Sequence, residues 1–137
     1  MEANILFTSV VHFLAYFGLS LLFLVAFKYA YTFVTPHDEW QLIKEDKNTA
    51  AAIGFGGAVV GFAIALSGAA SNSVSLVDFA TWGAIALVAQ LLAFALVRFG
   101  FMPRIVERIK SNEISAGTML AATNIAVGLL NAACMTY

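Results

Sequence analysis

The 137 residues are 61% hydrophobic and 11% charged, well below the roughly 25% charge of a soluble domain. Seven Lys and Arg against eight Asp and Glu leave a net charge of −1 and no basic cluster, which excludes a nucleic-acid footprint. One cysteine excludes an internal disulfide, and the length leaves room for a single bundle of short-looped helices.

The first charge-free run, Ala3 to Phe27, begins directly after Glu2. Roughly 20 apolar residues suffice for a helix to cross hydrocarbon, where the backbone must satisfy its own hydrogen bonds. No basic segment precedes the run, and Lys28 stands where a small-residue cleavage site would be needed. The sequence therefore predicts a retained span over about 5–33 rather than a signal peptide. Lys28 is expected to snorkel, with Tyr29 and Tyr31 in the interfacial belt. His12 is expected to face inward as a satisfied imidazole, with a proton-relay role as the sharper alternative.

In the loop that follows, Thr35 suits an N-cap, Pro36 a first helical position, and Asp38 and Glu39 a first turn. Trp40, Ile43 and Lys44 then share a face, as in a short amphipathic helix at a membrane surface. That helix is either a stiff connector or a docking surface. His37 has no second ligand at metal spacing, so no metal is expected.

The second span is expected over about 49–70. Gly54, Gly61 and Gly68 recur every seven residues and Gly57 lies four before Gly61, a pattern for close helix packing in lipid. After a serine-rich turn, Ser75 and Asp78 have capping-box spacing, so Asp78 reads as an extracytoplasmic cap. The third span, about 76–99, carries Trp82, a central Gln90 and a closing Arg98. A second proline-led segment follows at Pro103, with Ile105, Ile109 and Lys110 as candidate docking contacts. Its basic residues are placed to touch anionic lipid.

The last span, about 114–137, has no charge. Gly117, Asn124 and Asn131 recur every seven residues, and amides are too costly to turn toward lipid. Gln90 is therefore expected to meet Asn124 or Asn131, with Gly128 packing close by. Cys134 reads as a small packed residue.

Every cation flanks the two proline-led loops, so the positive-inside rule places those loops in the cytoplasm and both termini outside. Pro36 matches Pro103, Lys44 matches Lys110, and Gly61 matches Gly128, at offsets of 66 or 67 residues. This suggests two tandem repeats, 1–70 and 71–137, forming one integral membrane domain. The predicted fold is an all-α membrane protein of four transmembrane helices, arranged as two helical hairpins about an axis along the membrane normal. The second and fourth helices are expected to pack centrally.

Several strings also carry a family resemblance. Thr35-Pro36-His37-Asp38-Glu39-Trp40, Leu42-Ile43-Lys44 and Asn48-Thr49-Ala50-Ala51 resemble the YjfL-like small inner-membrane proteins, a domain family of unknown function. Trp82-Gly83, Gln90-Leu91 and Asn131-Ala132-Ala133-Cys134 are similar to later motifs of that family. The resemblance implies a bacterial inner-membrane protein with paired two-helix repeats. It brings an association with membrane stress and no activity.

No nucleophile, base and orienter fall together, and no glycine loop cradles a phosphate, so neither catalysis nor a cofactor is expected. The leading expectation is a membrane scaffold or anchor for a soluble cytoplasmic partner, itself a homo-oligomer in the lipid bilayer. The alternative is an oligomeric channel or small-solute transporter whose path is lined by Asn, Gln and His.

Overall fold

A computed structural model describes residues 2–35 and 39–135, the side chain of Glu39 excepted. Helix α1 spans Glu2–Val34, α2 Glu39–Lys44, α3 Thr49–Asn72, α4 Leu76–Leu96, α5 Ile105–Lys110 and α6 Ile114–Ala133. Among the described residues there is no strand. Four helices, α1, α3, α4 and α6, are long and apolar enough to cross a membrane. The α4 span runs on through a π-helical turn, Val97–Phe101, that sequence reading did not anticipate.

Helix starts follow local chemistry. The Asn48 side chain caps α3 by accepting from Ala51 N at 2.8 Å. Ser75 caps α4 by accepting from Asp78 N at 3.1 Å, while Asp78 Oδ2 accepts from Val74 N at 2.9 Å. The expected capping pair is thus present, with the carboxylate reaching one residue further back than a capping box requires. The proline-led starts differ from expectation. Helix α5 begins at Ile105 with Arg104 as its cap, leaving Pro103 in the preceding turn. Pro36, His37 and Asp38 lie outside the described residues, and the Thr35 hydroxyl donates back to Thr32 O at 3.3 Å.

Ring and glycine contacts give the helix directions. Tyr16 stacks on Phe79, and Tyr31 meets Phe94 edge-on, so α1 and α4 run parallel. Phe27 stacks on Phe62 while Tyr31 meets Phe55, so α1 and α3 run antiparallel. Helices α3 and α6 share the most extensive interface and are parallel, with Gly117 against Ala50, Gly128 against Gly61 and Gly68 against Ala132. The second and fourth spans are therefore central, as expected. Without a hydrophobic driving force in lipid, it is close van der Waals contact that holds such a pair, and glycine permits it. Helix α1 lies to one side of this pair, with only Phe27 and Tyr31 fully buried.

Candidate functional site

Halfway along the bundle the amides converge. Gln90 and Asn124 are fully buried and Asn131 is half-buried. Gln90 Nε2 donates to the Asn124 backbone carbonyl at 2.7 Å, beside Gly61, where a Cβ would collide with that amide. Asn131 Nδ2 donates to Ala86 O at 3.0 Å and approaches Gln90 Oε1 at 3.5 Å. The Asn124 amide donates to Leu120 O at 2.9 Å, and its Oδ1 is buried with no partner. The donors thus go mainly to backbone carbonyls of α4 and α6, whereas the sequence reading expected the amide side chains to meet one another.

His12 is not brought to this cluster. It is exposed on α1, before the first residues that meet the bundle. Its periodicity places it on the same side as Tyr16, which meets Phe79 of α4, but one turn earlier, where no neighbouring helix covers it. Sequence alone could not fix how far α1 overhangs its neighbours.

The glycines of both stripes sit in helix contacts. A Cβ on Gly54 would meet Leu120, one on Gly57 the Ala121 backbone, one on Gly61 the Asn124 carbonyl, and one on Gly68 Ala132. Gly117 and Gly128 would meet the backbones of Ala50 and Gly61.

At the loop end, the start of α3 is tied to the end of α5. Asn48 Nδ2 donates to Ile109 O at 2.7 Å, and Asn112 Oδ1 accepts from Ala50 N at 3.0 Å. Both loops contain a residue in the left-handed region, Lys47 at φ 51° and Asn112 at φ 58°. Asparagine tolerates that conformation better than most residues. Neither Asn48 nor Asn112 was singled out as a site residue. Their type beside a helix start was the available signal.

The candidate docking residues divide. Trp40 is exposed, and the Lys28 and Lys44 ammonium groups lie 4.6 and 5.7 Å from its ring. Lys28 thus snorkels, and Tyr29 also lies under it at 4.5 Å. Lys110 is exposed, and Ile43 is half-buried against the core. Ile105 and Ile109 are fully buried, which corrects the expectation that they face a partner. An amphipathic six-residue helix can turn its apolar face either way, and here α5 turns it into the bundle. Tyr31, expected in the interfacial belt, is fully buried between Phe55 and Phe94. Cys134, expected to be packed, is exposed at the end of α6.

Among the described residues an ion pair closes the loop after α5. Arg108 grips Glu113 with Nε to Oε2 at 2.9 Å and Nη2 to Oε1 at 2.6 Å. These hydrogen bonds chiefly, aided by charge, hold the Glu113 carboxyl below and the Arg108 guanidinium above their ordinary values. Among the described residues no three His, Cys, Asp or Glu cluster as metal ligands would.

A four-span helical bundle with a stitched amide core and short surface helices defines an integral membrane protein. The chain belongs to the family described as Domain of Unknown Function (DUF350), whose model matches residues 5–135. It is 46% identical over 129 residues to the UPF0719 inner membrane protein YjfL of Escherichia coli strain K12, covering 94% of this chain and 96% of that protein. The Escherichia coli O157:H7 protein of the same description matches equally. No solved structure matches.

Proposed function

We propose that the chain is a non-enzymatic inner-membrane scaffold that docks a soluble cytoplasmic protein on the wet face of α2. One observation carries this reading: the amides of Gln90 and Asn131 donate to backbone carbonyls between α4 and α6, beside a close-packed α3–α6 pair, rather than lining an open passage. Such bonds fix helix register at roughly 0.6–2 kcal/mol each without transporting anything. A bundle held this way is a rigid platform. Its loop end presents Trp40 with Lys28 and Lys44 against the ring, and Lys110 exposed at the end of α5. Exposed aromatic and cationic groups of this kind are common anchors for protein partners.

The orientation rests on the cations. Lys28, Lys44, Lys47, Arg98, Arg104, Arg108 and Lys110 lie on or beside the helix ends and loops that carry α2 and α5, which argues for that end being cytoplasmic. The two tandem repeats enter as part of the same reading. They are supported by α2 and α5 being six residues each, by the parallel directions of α1 with α4 and α3 with α6, and by Gly61 meeting Gly128. Residues at matched positions touch one another only near a twofold axis. A role in membrane stress remains part of this reading through the family resemblance alone.

The test is co-purification from cross-linked inner membranes with the tagged chain, comparing wild type with Trp40→Ala and Lys44→Glu. A discrete soluble protein captured by wild type and lost from both variants, with bundle melting unchanged, is the expected result. Identical co-purification across all three would end the docking reading. The channel reading is tested separately: purified protein in liposomes should pass no more ions than empty liposomes, and Asn131→Leu should leave that unchanged.

A further inference from the structure

Two clefts at the loop end differ in charge. One, beside α2, is lined by Trp40, Gln41, Lys44 and Glu45, so a carboxylate offsets its cation. The other, of about 330 Å³, is lined by Phe101, Met102, Pro103, Arg104 and Arg108, with two guanidinium groups and no acid among the lining residues.

The second cleft forms where a span ends. The candidate span Leu76–Phe101 finishes in the π-helical turn, closed by Met102 N donating to Val97 O at 2.7 Å. Pro103 has no N–H to extend that ladder, and the Met102 carbonyl accepts instead from Ile105 N at 3.0 Å. Helix α5 then sinks Ile105 and Ile109 into the bundle. This anchoring leaves Arg104 and Arg108, one helical turn apart, at the cleft.

Two like charges at this spacing repel, and an anion close to both relieves them. Glu113 answers only part of that need. It occupies Nε and Nη2 of Arg108, leaving Nη1 without a hydrogen bond among the described residues. Arg104 is exposed and pairs with no carboxylate among the described residues. Guanidinium donors in a planar fork match the oxygens of a phosphate group.

The apolar half of the cleft narrows what carries that anion. Phe101 is 59% exposed, and Phe99 just before it is 78% exposed. A free phosphate would leave these rings untouched, whereas an anion joined to hydrocarbon meets both halves. The span ends at Phe101 and Arg104 follows three residues later. Such a step from apolar to cationic chain marks the passage from hydrocarbon to headgroups at any tilt of the bundle.

We propose that the cleft between the π-helical turn and α5 binds the phosphate of an anionic phospholipid through Arg104 and Arg108, with Phe101 and Met102 against the start of its acyl chains. Lipid on the outer helix faces is solvent and is not selected by charge. The lipid in this cleft is selected by its headgroup. The site depends neither on the docking role of α2 nor on which side of the membrane is cytoplasmic.

The test titrates the full chain in mild detergent with phosphatidylglycerol or phosphatidylcholine and counts bound lipid by native mass spectrometry. One phosphatidylglycerol is expected to bind ahead of any phosphatidylcholine. Arg104→Gln is expected to weaken it about fivefold, with melting of the lipid-free chain unchanged. Arg108→Lys, which keeps a cation facing Glu113 but loses the planar fork, is expected to weaken it as well. Lys44→Gln, which removes a cation from the other cleft, is expected to leave it unchanged. Equal retention of the two lipids overturns the proposal, as does full retention in both arginine variants. Equal weakening by Lys44→Gln and Arg104→Gln would show a diffuse positive end rather than a site, and overturns it too. Displacement of the lipid by equimolar inorganic phosphate would assign the cleft to the free anion instead, against the proposal.

Discussion

Gly61 and Gly128 touch backbone to backbone: a Cβ built on Gly128 would stand against the Gly61 carbonyl, and one on Gly61 against the Asn124 carbonyl. The contact lies where α3 and α6 come together at the centre of the bundle. Adding a methyl group there must push two helices apart, because backbone rather than a flexible side chain is in the way. Gly128→Ala is therefore expected to destabilise the bundle by about 1–3 kcal/mol, the usual range for overpacking. Gly56→Ala, which meets open space, should cause no loss. Thermal unfolding in detergent, followed by circular dichroism, checks both. Equal melting of Gly128→Ala and wild type would mean that the two backbones are not in contact.

The amide cluster makes a prediction about additivity. Gln90 and Asn131 each spend their best bond on a backbone carbonyl, and the 3.5 Å approach between their side chains is marginal. Gln90→Leu and Asn131→Leu should each lower stability by roughly 0.6–2 kcal/mol. Their double variant should lower it by nearly the sum, since the bond between the two side chains is marginal and each makes its shorter bond to a different carbonyl. A coupling well above roughly 0.5 kcal/mol in a double-mutant cycle would show that the pair acts as one network instead.

How much of this was legible beforehand differs residue by residue. The four spans stand out because charge is absent from long blocks, and that signal is independent of any partner helix. The glycine and amide stripes were legible for a related reason: a seven-residue period keeps Gly54, Gly61 and Gly68 on one face, and lipid tolerates neither gaps nor amides there. What failed is whatever depends on register between helices. Ile105 and Ile109 have the right period for an apolar face, but period does not say whether that face looks up or down. Tyr31 lies near a helix end by count, yet its level against Phe55 and Phe94 buries it. His12 is apolar in context and outside the bundle in fact, because α1 is longer than its neighbours. The tie from Asn48 to Ile109 bridges 61 residues, which no local pattern encodes.

That tie is separable by chemistry. Asn48 uses Oδ1 to cap α3 and Nδ2 to hold the Ile109 carbonyl of α5. Asn48→Ala removes both and should cost about 1 kcal/mol for the cap, plus about 1–3 kcal/mol for a buried carbonyl left unpaired. Asn48→Asp keeps the capping oxygen and loses the donor, so it should retain the start of α3 while loosening α5. Amide hydrogen exchange resolves the two. Faster exchange confined to residues 105–113 is expected for Asn48→Asp, and faster exchange in both segments for Asn48→Ala. Unchanged exchange over 105–113 in both variants would show that α5 is held by Ile105 and Ile109 alone.

The Arg108–Glu113 pair carries a pH dependence whose sign follows from its geometry. The Glu113 carboxyl titrates below its ordinary value in the folded chain because Arg108 donates two hydrogen bonds to its charged form. In the unfolded chain it titrates at the ordinary carboxylate value of roughly 4.3. The folded state therefore binds fewer protons across the interval between the two, and stability rises with pH there. The contribution is fully present above the ordinary value and fades as pH falls through the lowered one. Both side chains are partly exposed, so water and salt screen the pair and its effect is small. Glu113→Gln removes the titration without removing side-chain length. Melting temperatures of wild type and Glu113→Gln should differ slightly at about pH 7 in low salt and converge as the solution is acidified below the carboxylate range. A gap that persists unchanged at acid pH would assign the difference to packing rather than to the ion pair.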